Sequence, residues 1–295
     1  MAAPTADKKP LWLAAAPAVF VLLWSAGYSV AKLGLHYADP LTFLALRYVC
    51  VLALLLPLWA IIRPPLPATG MQWRNLAIIG LLMQGLYFSM SYIAFTHGAS
   101  AGAVAIIMGL QPILVGLLAP MLLAERVSVL RWLGLILGLA GACLVILGRS
   151  AIEVTDPVGI AAALAGLASI TAATFFEKRF GVAAHLLTSN TIQYAVALCV
   201  VAPLAVGLEE MRIEATGPFL ASLAYLVIGN SLVAITLLLA MIRHGEASRI
   251  SALLFLVPPL AALIAWVLLG EAMPAISWAG MAVAAAGVYL ATRPA

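Results

Sequence analysis

Residues 98–141 read GASAGAVAIIMGLQPILVGLLAPMLLAERVSVLRWLGLILGLAG, and residues 245–287 read GEASRISALLFLVPPLAALIAWVLLGEAMPAISWAGMAVAAAG. Pro112 answers to Pro258, Glu125 to Glu271, Trp132 to Trp278, Gly134 to Gly280 and Gly141 to Gly287, all at a shift of 146 residues. The same shift works upstream: Lys32 meets Lys178, Leu41-Thr42 meets Leu187-Thr188, Tyr48 meets Tyr194 and Pro57 meets Pro203. Apolar sequences match by chance, but not at one constant shift across rare residues. The chain therefore divides into two homologous halves, 1–150 and 151–295.

The material of those halves is apolar: 65% of the 295 residues are hydrophobic, 9% are charged and the mean hydropathy is +1.14. Soluble chains carry roughly 25% charged residues. The apolar runs approach ~20 residues, the length a helix needs to cross about 30 Å of hydrocarbon. Alternation over ~10-residue segments, the mark of a membrane β-barrel, is absent. The fold class is an all-α membrane protein. The formal charge of +4 does not point to nucleic acid, because membrane proteins concentrate Lys and Arg in cytoplasmic loops. Cys50, Cys143 and Cys199 fall inside apolar runs and imply no disulfide framework.

Ten spans are expected, near 12–33, 40–62, 73–96, 99–122, 128–148, 157–178, 186–208, 217–242, 247–269 and 274–292. Lys8-Lys9 before the first could open a signal peptide, but its length favours an uncleaved span. With the N-terminus inside, eleven Lys and Arg lie at inner span ends: Lys8, Lys9, Arg63, Arg74, Arg126, Arg131, Lys178, Arg179, Arg243, Arg249 and Arg293. Three lie outside: Lys32, Arg149 and Arg212. Both termini are thus expected in the cytoplasm. Five spans per half is an odd number, so the second half should enter the membrane inverted, as in many secondary transporters.

Each half carries a Pro-containing span, a Glu near the following loop and a W-x-G-x6-G span. The opening WSAGYSVAKLGLHYADPLTFLALRY sets Trp24, Lys32, Pro40, Phe43 and Arg47 in order. These features resemble the EamA repeats of the drug/metabolite transporter superfamily over nearly the whole chain. The resemblance implies a basket of ten helices around a central cavity, and export of small metabolites from a bacterial inner membrane. It lies nearest to exporters of aromatic and other neutral amino acids, and of some cationic drugs. One departure stands out: Gln193 answers to Arg47.

Polar residues inside spans are costly and so are candidates for function. Ser25, Tyr28, Ser29 and Lys32 share a helical face with Trp24 beside it, and Thr171, Thr174, Phe175 and Lys178 lie at the equivalent positions of the second half. Gln84, Tyr87, Phe88 and Ser91 make another face; Gln111, Asn230 and Ser231 are polar positions in further spans. Such faces can line a cavity, or their hydroxyls can bond their own helix. Pro112 frees the carbonyl of Met108, and Pro258 and Pro259 free those of Leu254 and Phe255. Those carbonyls could receive a substrate ammonium, and the kinks could act as hinges. Arg47 lies about 10 Å from the outer end of its span at 1.5 Å per residue. It could snorkel to the surface, bond another helix, or serve a substrate carboxylate or a gate.

The carboxylates lie at span ends or in loops, Glu177 reaching furthest in. No proton-coupling carboxylate is therefore expected. The leading expectation is an exporter of amino acids, with Trp24, Tyr28, Tyr87, Phe88, Phe175 and Phe255 as walls. Those walls bear no fixed charge, which predicts broad selectivity. Alternatives are a multidrug exporter, a sugar-phosphate carrier (disfavoured without paired Lys and Arg), a channel, and an intramembrane enzyme. No catalytic group, metal cluster or cofactor motif is expected. The expected partners are a small-molecule substrate and the lipid bilayer. The glycines at 134, 138, 141, 280 and 287 pack either within a monomer or at a weak homodimer seam.

Overall fold

Inside hydrocarbon the backbone has no water to bond, so each apolar run closes its hydrogen bonds along itself. The computed structural model describes residues 11–98, 104, 107–124, 127–149, 156–180, 184–244, 247–257, 259–260, 263–264 and 274–292. In chain order these form α1 (Leu11–Leu35), α2 (Pro40–Ile62), α3 (Gly70–Gly80) and α4 (Phe88–Thr96). Next come α5 (Gln111–Leu122), α6 (Val129–Arg149), α7 (Pro157–Phe180) and α8 (Leu186–Leu208). Last are α9 (Gly217–Tyr225), α10 (Ile235–His244), α11 (Ala247–Ala252) and α12 (Ala275–Thr292). Among the described residues, seven helices are long and apolar enough to span a membrane, with α5 and α6 as shorter apolar helices. The chain is a multi-pass helical membrane protein. Those seven helices match seven of the expected spans; the fourth and ninth lie partly outside the described residues. The ninth shows α11 followed by a 3-10 turn, Leu253–Leu256.

Two spans are single rods with a wide turn in the middle. A π-helical segment, Leu81–Tyr87, joins α3 to α4, and another, Leu226–Ala234, joins α9 to α10. They occupy matching positions in the two halves. A π turn inserts residues into the ladder and loosens carbonyl pairing. Here a matching tyrosine meets each segment: Tyr48 OH donates to the Gln84 carbonyl, and Tyr194 OH donates to that of Ser231. Both rings are fully buried and touch, centroids 5.3 Å apart.

The halves are tied at both ends of α2 and α8. At the N-terminus of α2, Leu41 and Thr42 N–H donate to the Glu209 carboxylate at 2.8 Å, as does the Thr42 hydroxyl. The preceding loop joins in: Arg212 N–H donates to Asp39 at 2.9 Å, Glu214 N–H to the Tyr37 carbonyl at 2.7 Å, and Ala38 bridges Ile213. At the other end, Thr188 donates to the Pro65 carbonyl at 3.1 Å. The start of α2 thus lies beside the end of α8, and the start of α8 beside the end of α2. The two helices run antiparallel.

The small-residue stripes of α6 and α12 meet each other within one chain. A Cβ on Gly141 would sit 2.2 Å from Ala284 N, and one on Gly287 would sit 2.2 Å from Gly138 N. The glycines are there because backbone approaches backbone. The exposed flanks are apolar; Val49, Leu54, Leu56 and Ile61 of α2 face outward, as lipid contact requires.

Candidate functional site

One cavity opens between α1, α2, α4 and the two π segments. Trp24, Gly27, Tyr28 and Ala31 of α1 form one wall, with Tyr87, Phe88, Ser91, Tyr92 and Phe95 opposite. Arg47, Leu226 and Asn230 close it. Trp24 stacks on Tyr87 at 6.2 Å between centroids, and Phe88 lies 4.8 Å from Tyr87 and 6.1 Å from Trp24. The Tyr28 and Tyr87 hydroxyls share a hydrogen bond of 2.9 Å across the space. The free volume between these walls is about 20 Å³, room for about one water.

Arg47 does not snorkel. Its side chain is fully buried, and each guanidinium nitrogen finds an acceptor on another element. Nε donates to Ser231 Oγ at 2.8 Å, Nη1 to the Tyr92 hydroxyl at 3.2 Å and Nη2 to Asn230 Oδ1 at 3.3 Å. The guanidinium also lies over the Phe88 ring, 4.5 Å from its centroid. All four neighbours are neutral, and no carboxylate pairs with Arg47 among the described residues. The expectation of a wall without fixed charge is therefore corrected. The cavity holds a cation in low dielectric, where an unpaired charge attracts an anion strongly.

Local structure explains the placement. Ser231 and Asn230 lie on the second π segment, whose extra turn width presents both to α2. Gly27 lets the segment approach α1: a Cβ there would stand 2.0 Å from Asn230 Nδ2. Tyr92 and Phe95 were not among the sequence candidates. Both nonetheless follow plain helical spacing, Tyr92 four residues after Phe88 and Phe95 four after Ser91 on the same α4.

The structure brings Trp24, Tyr28, Arg47, Tyr87, Phe88, Ser91 and Asn230 together. It sets the remaining candidates elsewhere. Ser25 donates to the Val21 carbonyl at 2.6 Å and Thr171 to that of Leu167 at 2.7 Å, each along its own helix. Thr174 donates to Ile170 O and accepts from Gln111 Nε2 at 3.2 Å, joining α7 to α5. Gln84 is fully buried, and its amide has no protein partner among the described residues. Met108 packs against Gly166, with Cε 3.1 Å from where a Cβ there would stand. Phe175 belongs to a small separate cluster with Val115 and Ala119. Phe255 fills the notch at Gly138. Pro112 stands in the first turn of α5, where its missing N–H costs no helix bond. Pro259 is buried in a helical stretch, and Pro258 lies outside the described residues.

A second polar cluster was not foreseen. Glu177, near the end of α7, is fully buried. Arg243 Nε donates to its Oε1, and Gln193 Nε2 lies 3.5 Å from Oε2. Arg243 also donates to the Ala184 carbonyl at 2.6 Å and to Ser189 Oγ at 2.8 Å. Among the described residues no group of three His, Cys, Asp or Glu could hold a metal ion.

Comparison with known proteins fits this architecture. The profile of the EamA-like transporter family matches residues 11–147 and again 157–293. The second match is displaced from the first by the shift read from the sequence. The chain is 24% identical over 265 residues to a protein of Bacillus subtilis named an uncharacterized transporter, covering 90% of this chain and 86% of that one. It is 24% identical over 272 residues to an Escherichia coli protein named an uncharacterized inner membrane transporter, covering 92% and 87%. A Salmonella typhimurium protein named a probable amino-acid metabolite efflux pump is 23% identical over 281 residues, covering 92% and 91%. A solved crystal structure superposes with a TM-score of 0.79 over 95% of this chain and 97% of its own, at 20% identity. That last likeness is one of fold.

Proposed function

Because the chain belongs to the EamA-like transporter family, we propose that it exports small carboxylate-bearing metabolites, most of all aromatic and other neutral amino acids. The observation that carries this reading is Arg47, buried in an aromatic cavity where its partners among the described residues are neutral. A substrate carboxylate would meet the guanidinium, and an aromatic or aliphatic side chain would lie among Trp24, Tyr87 and Phe88. Asn230 and the tyrosine hydroxyls offer neutral partners to the ammonium. Cationic drugs would face the Arg47 charge, which disfavours the multidrug reading. The name borne by the Salmonella relative supports amino-acid export.

The transport cycle is alternating access between two inverted five-span halves, 1–150 and 151–295, ten spans in all. The antiparallel pairing of α2 with α8 supports the inversion, since Thr42 and Thr188 are equivalent positions at opposite ends of that pair. The cavity of about 20 Å³ admits no amino acid. The Tyr28–Tyr87 bond must therefore part for substrate to enter. The protein sits in a bacterial inner membrane with both termini cytoplasmic, as the Lys and Arg distribution supports. The α6–α12 contact within one chain supports a monomer as the working unit.

The experiment is counterflow of labelled phenylalanine in proteoliposomes. Phenylalanine and tryptophan should compete. Phenylalaninamide and phenethylamine, which lack the carboxylate, should not. Equal competition by the amide and the amine would refute the Arg47 reading.

A further inference from the structure

The repeat equivalence assigns a partner to every cavity residue. Ala31 and Arg47 line the cavity in the first half; the same positions in the second half are Glu177 and Gln193. These two residues touch, and with Arg243 they form the buried second cluster. The position equivalent to Arg243 is His97. His97 does not approach Ala31; it is exposed and pairs with Asp156 at 3.2 Å.

Alternating access between inverted halves means that each half adopts the other's conformation. In the exchanged state Glu177 would take the place that Ala31 now holds, facing the cavity. Arg243 would take the place of His97, at the surface. Glu177 would then stand in the cavity stripped of the counter-ion that now satisfies it. A buried carboxylate without a partner is costly, and taking up a proton removes the cost. We infer that Glu177 is a proton-binding site of the carrier, exchanging Arg243 in one state for a proton in the other. This rests on the alternating-access reading above. It departs from the expectation that no carboxylate couples protons.

The step balances simply. The Glu177 carboxylate gives up its hydrogen bond from Arg243 Nε and binds one proton from the side to which the cavity opens. It returns that proton when Arg243 closes on it again. Other ionisable groups on the elements packed around α7 are engaged elsewhere among the described residues. Arg179 donates to the Leu122 carbonyl, His185 caps Leu187 N–H, His244 bonds the Ala240 carbonyl and Arg74 lies against Met71. Tyr87 and Tyr92 on the facing rod bond Tyr28 and Arg47, and Tyr194 on α8 bonds Ser231. Lys178 neighbours Glu177 on α7 itself.

Two measurements test the inference. First, dicyclohexylcarbodiimide, which modifies protonated buried carboxyls, is applied to the wild-type protein across a pH series and located by mass spectrometry. Adduct at Glu177 should rise as pH falls; no adduct at any pH would overturn the assignment without reference to any substrate. Second, efflux of labelled phenylalanine from proteoliposomes is measured with and without an imposed pH gradient. The gradient should accelerate wild-type efflux. It should leave Glu177→Gln, and the charge-balanced Glu177→Gln/Arg243→Gln, unaffected at whatever rate each retains. If wild-type counterflow occurs but no gradient alters it, the proton site falls and the transport reading stands. A variant that still responds to the gradient would equally overturn the proton site.

Discussion

Replacing Arg47 by Met should lower both stability and transport. The guanidinium makes three hydrogen bonds to neutral acceptors, at 2.8, 3.2 and 3.3 Å, and lies over Phe88. Hydrogen bonds to charged groups contribute about 1.5–3 kcal/mol each, and a desolvated cation–π contact about 2 kcal/mol. Against them stands the burial of an ion with no opposite charge beside it, which costs several kcal/mol. In the variant the Ser231 and Tyr92 hydroxyls can rotate to other partners, whereas Asn230 Oδ1 loses a donor, worth about 1–3 kcal/mol. The bonds lost outweigh the burial relieved, so the variant should be less stable than the wild type by a few kcal/mol. At roughly 2–4 °C per kcal/mol, its melting temperature should fall by about ten degrees. Transport is another matter. Truncating one partner of a buried charge pair costs about 2–5 kcal/mol, and each 1.4 kcal/mol is about tenfold. The apparent affinity for phenylalanine should therefore fall about 30-fold to several thousand-fold. The assays are thermal unfolding in detergent and counterflow in proteoliposomes. A variant that unfolds near the wild-type temperature and transports phenylalanine with unchanged KM would refute the reasoning.

Other outcomes follow from the same geometry. Glu209→Ala should strip the N-terminus of α2 of its cap, costing about 0.5–2 kcal/mol, and favour opening at that face. Labelling of Ala31→Cys by an impermeant maleimide should rise in it, and less in Glu209→Gln. Gly141→Ala places a Cβ 2.2 Å from Ala284 N and 2.6 Å from Gly280 O, so α6 and α12 must part. Its melting temperature should fall by an amount matching about 1–3 kcal/mol. Gly207→Ala, with nothing within 4 Å, should hold or raise the melting temperature, gaining up to about 1 kcal/mol of helix propensity. Asp156 accepts from Val158 N–H and pairs with His97, and these hold its carboxyl below the usual range. Its contribution to stability should be present above pH ~4 and vanish as pH falls through its lowered pKa. The difference between wild type and Asp156→Asn should shrink accordingly in melts run toward acid.

The duplication was legible because Pro, Trp, Glu and Gly recur at one shift through apolar sequence that would otherwise blur. Four of the six aromatic wall residues were legible too, since Trp24, Tyr28, Tyr87 and Phe88 follow helical spacing on two spans. Tyr92 and Phe95 were legible by the same rule, each standing four residues after a candidate on the same helix, Phe88 and Ser91. The tyrosine pair that supports the two π segments was visible only as one more matched pair. Arg47 shows the limit of a one-dimensional reading. Depth along α2 permits snorkelling, but its acceptors lie on a segment more than 180 positions away. The same holds for Glu177, whose sequence neighbours Lys178 and Arg179 drew attention away from Arg243, 66 residues on. Phe175 was assigned to the cavity by its place on the face that matches α1, and Phe255 by its aromatic character. Their places were set instead by a small satellite cluster and by the notch at Gly138.

Inversion of the halves is tested most directly by sidedness. In a protein with Cys50, Cys143 and Cys199 replaced, single cysteines at His36, just past the end of α1, and at Arg179, near the end of α7, would be exposed to an impermeant maleimide in intact cells and in inverted vesicles. The account predicts that His36→Cys reacts only from the outer side and Arg179→Cys only from the inner side. Reaction of both from the same side would contradict it.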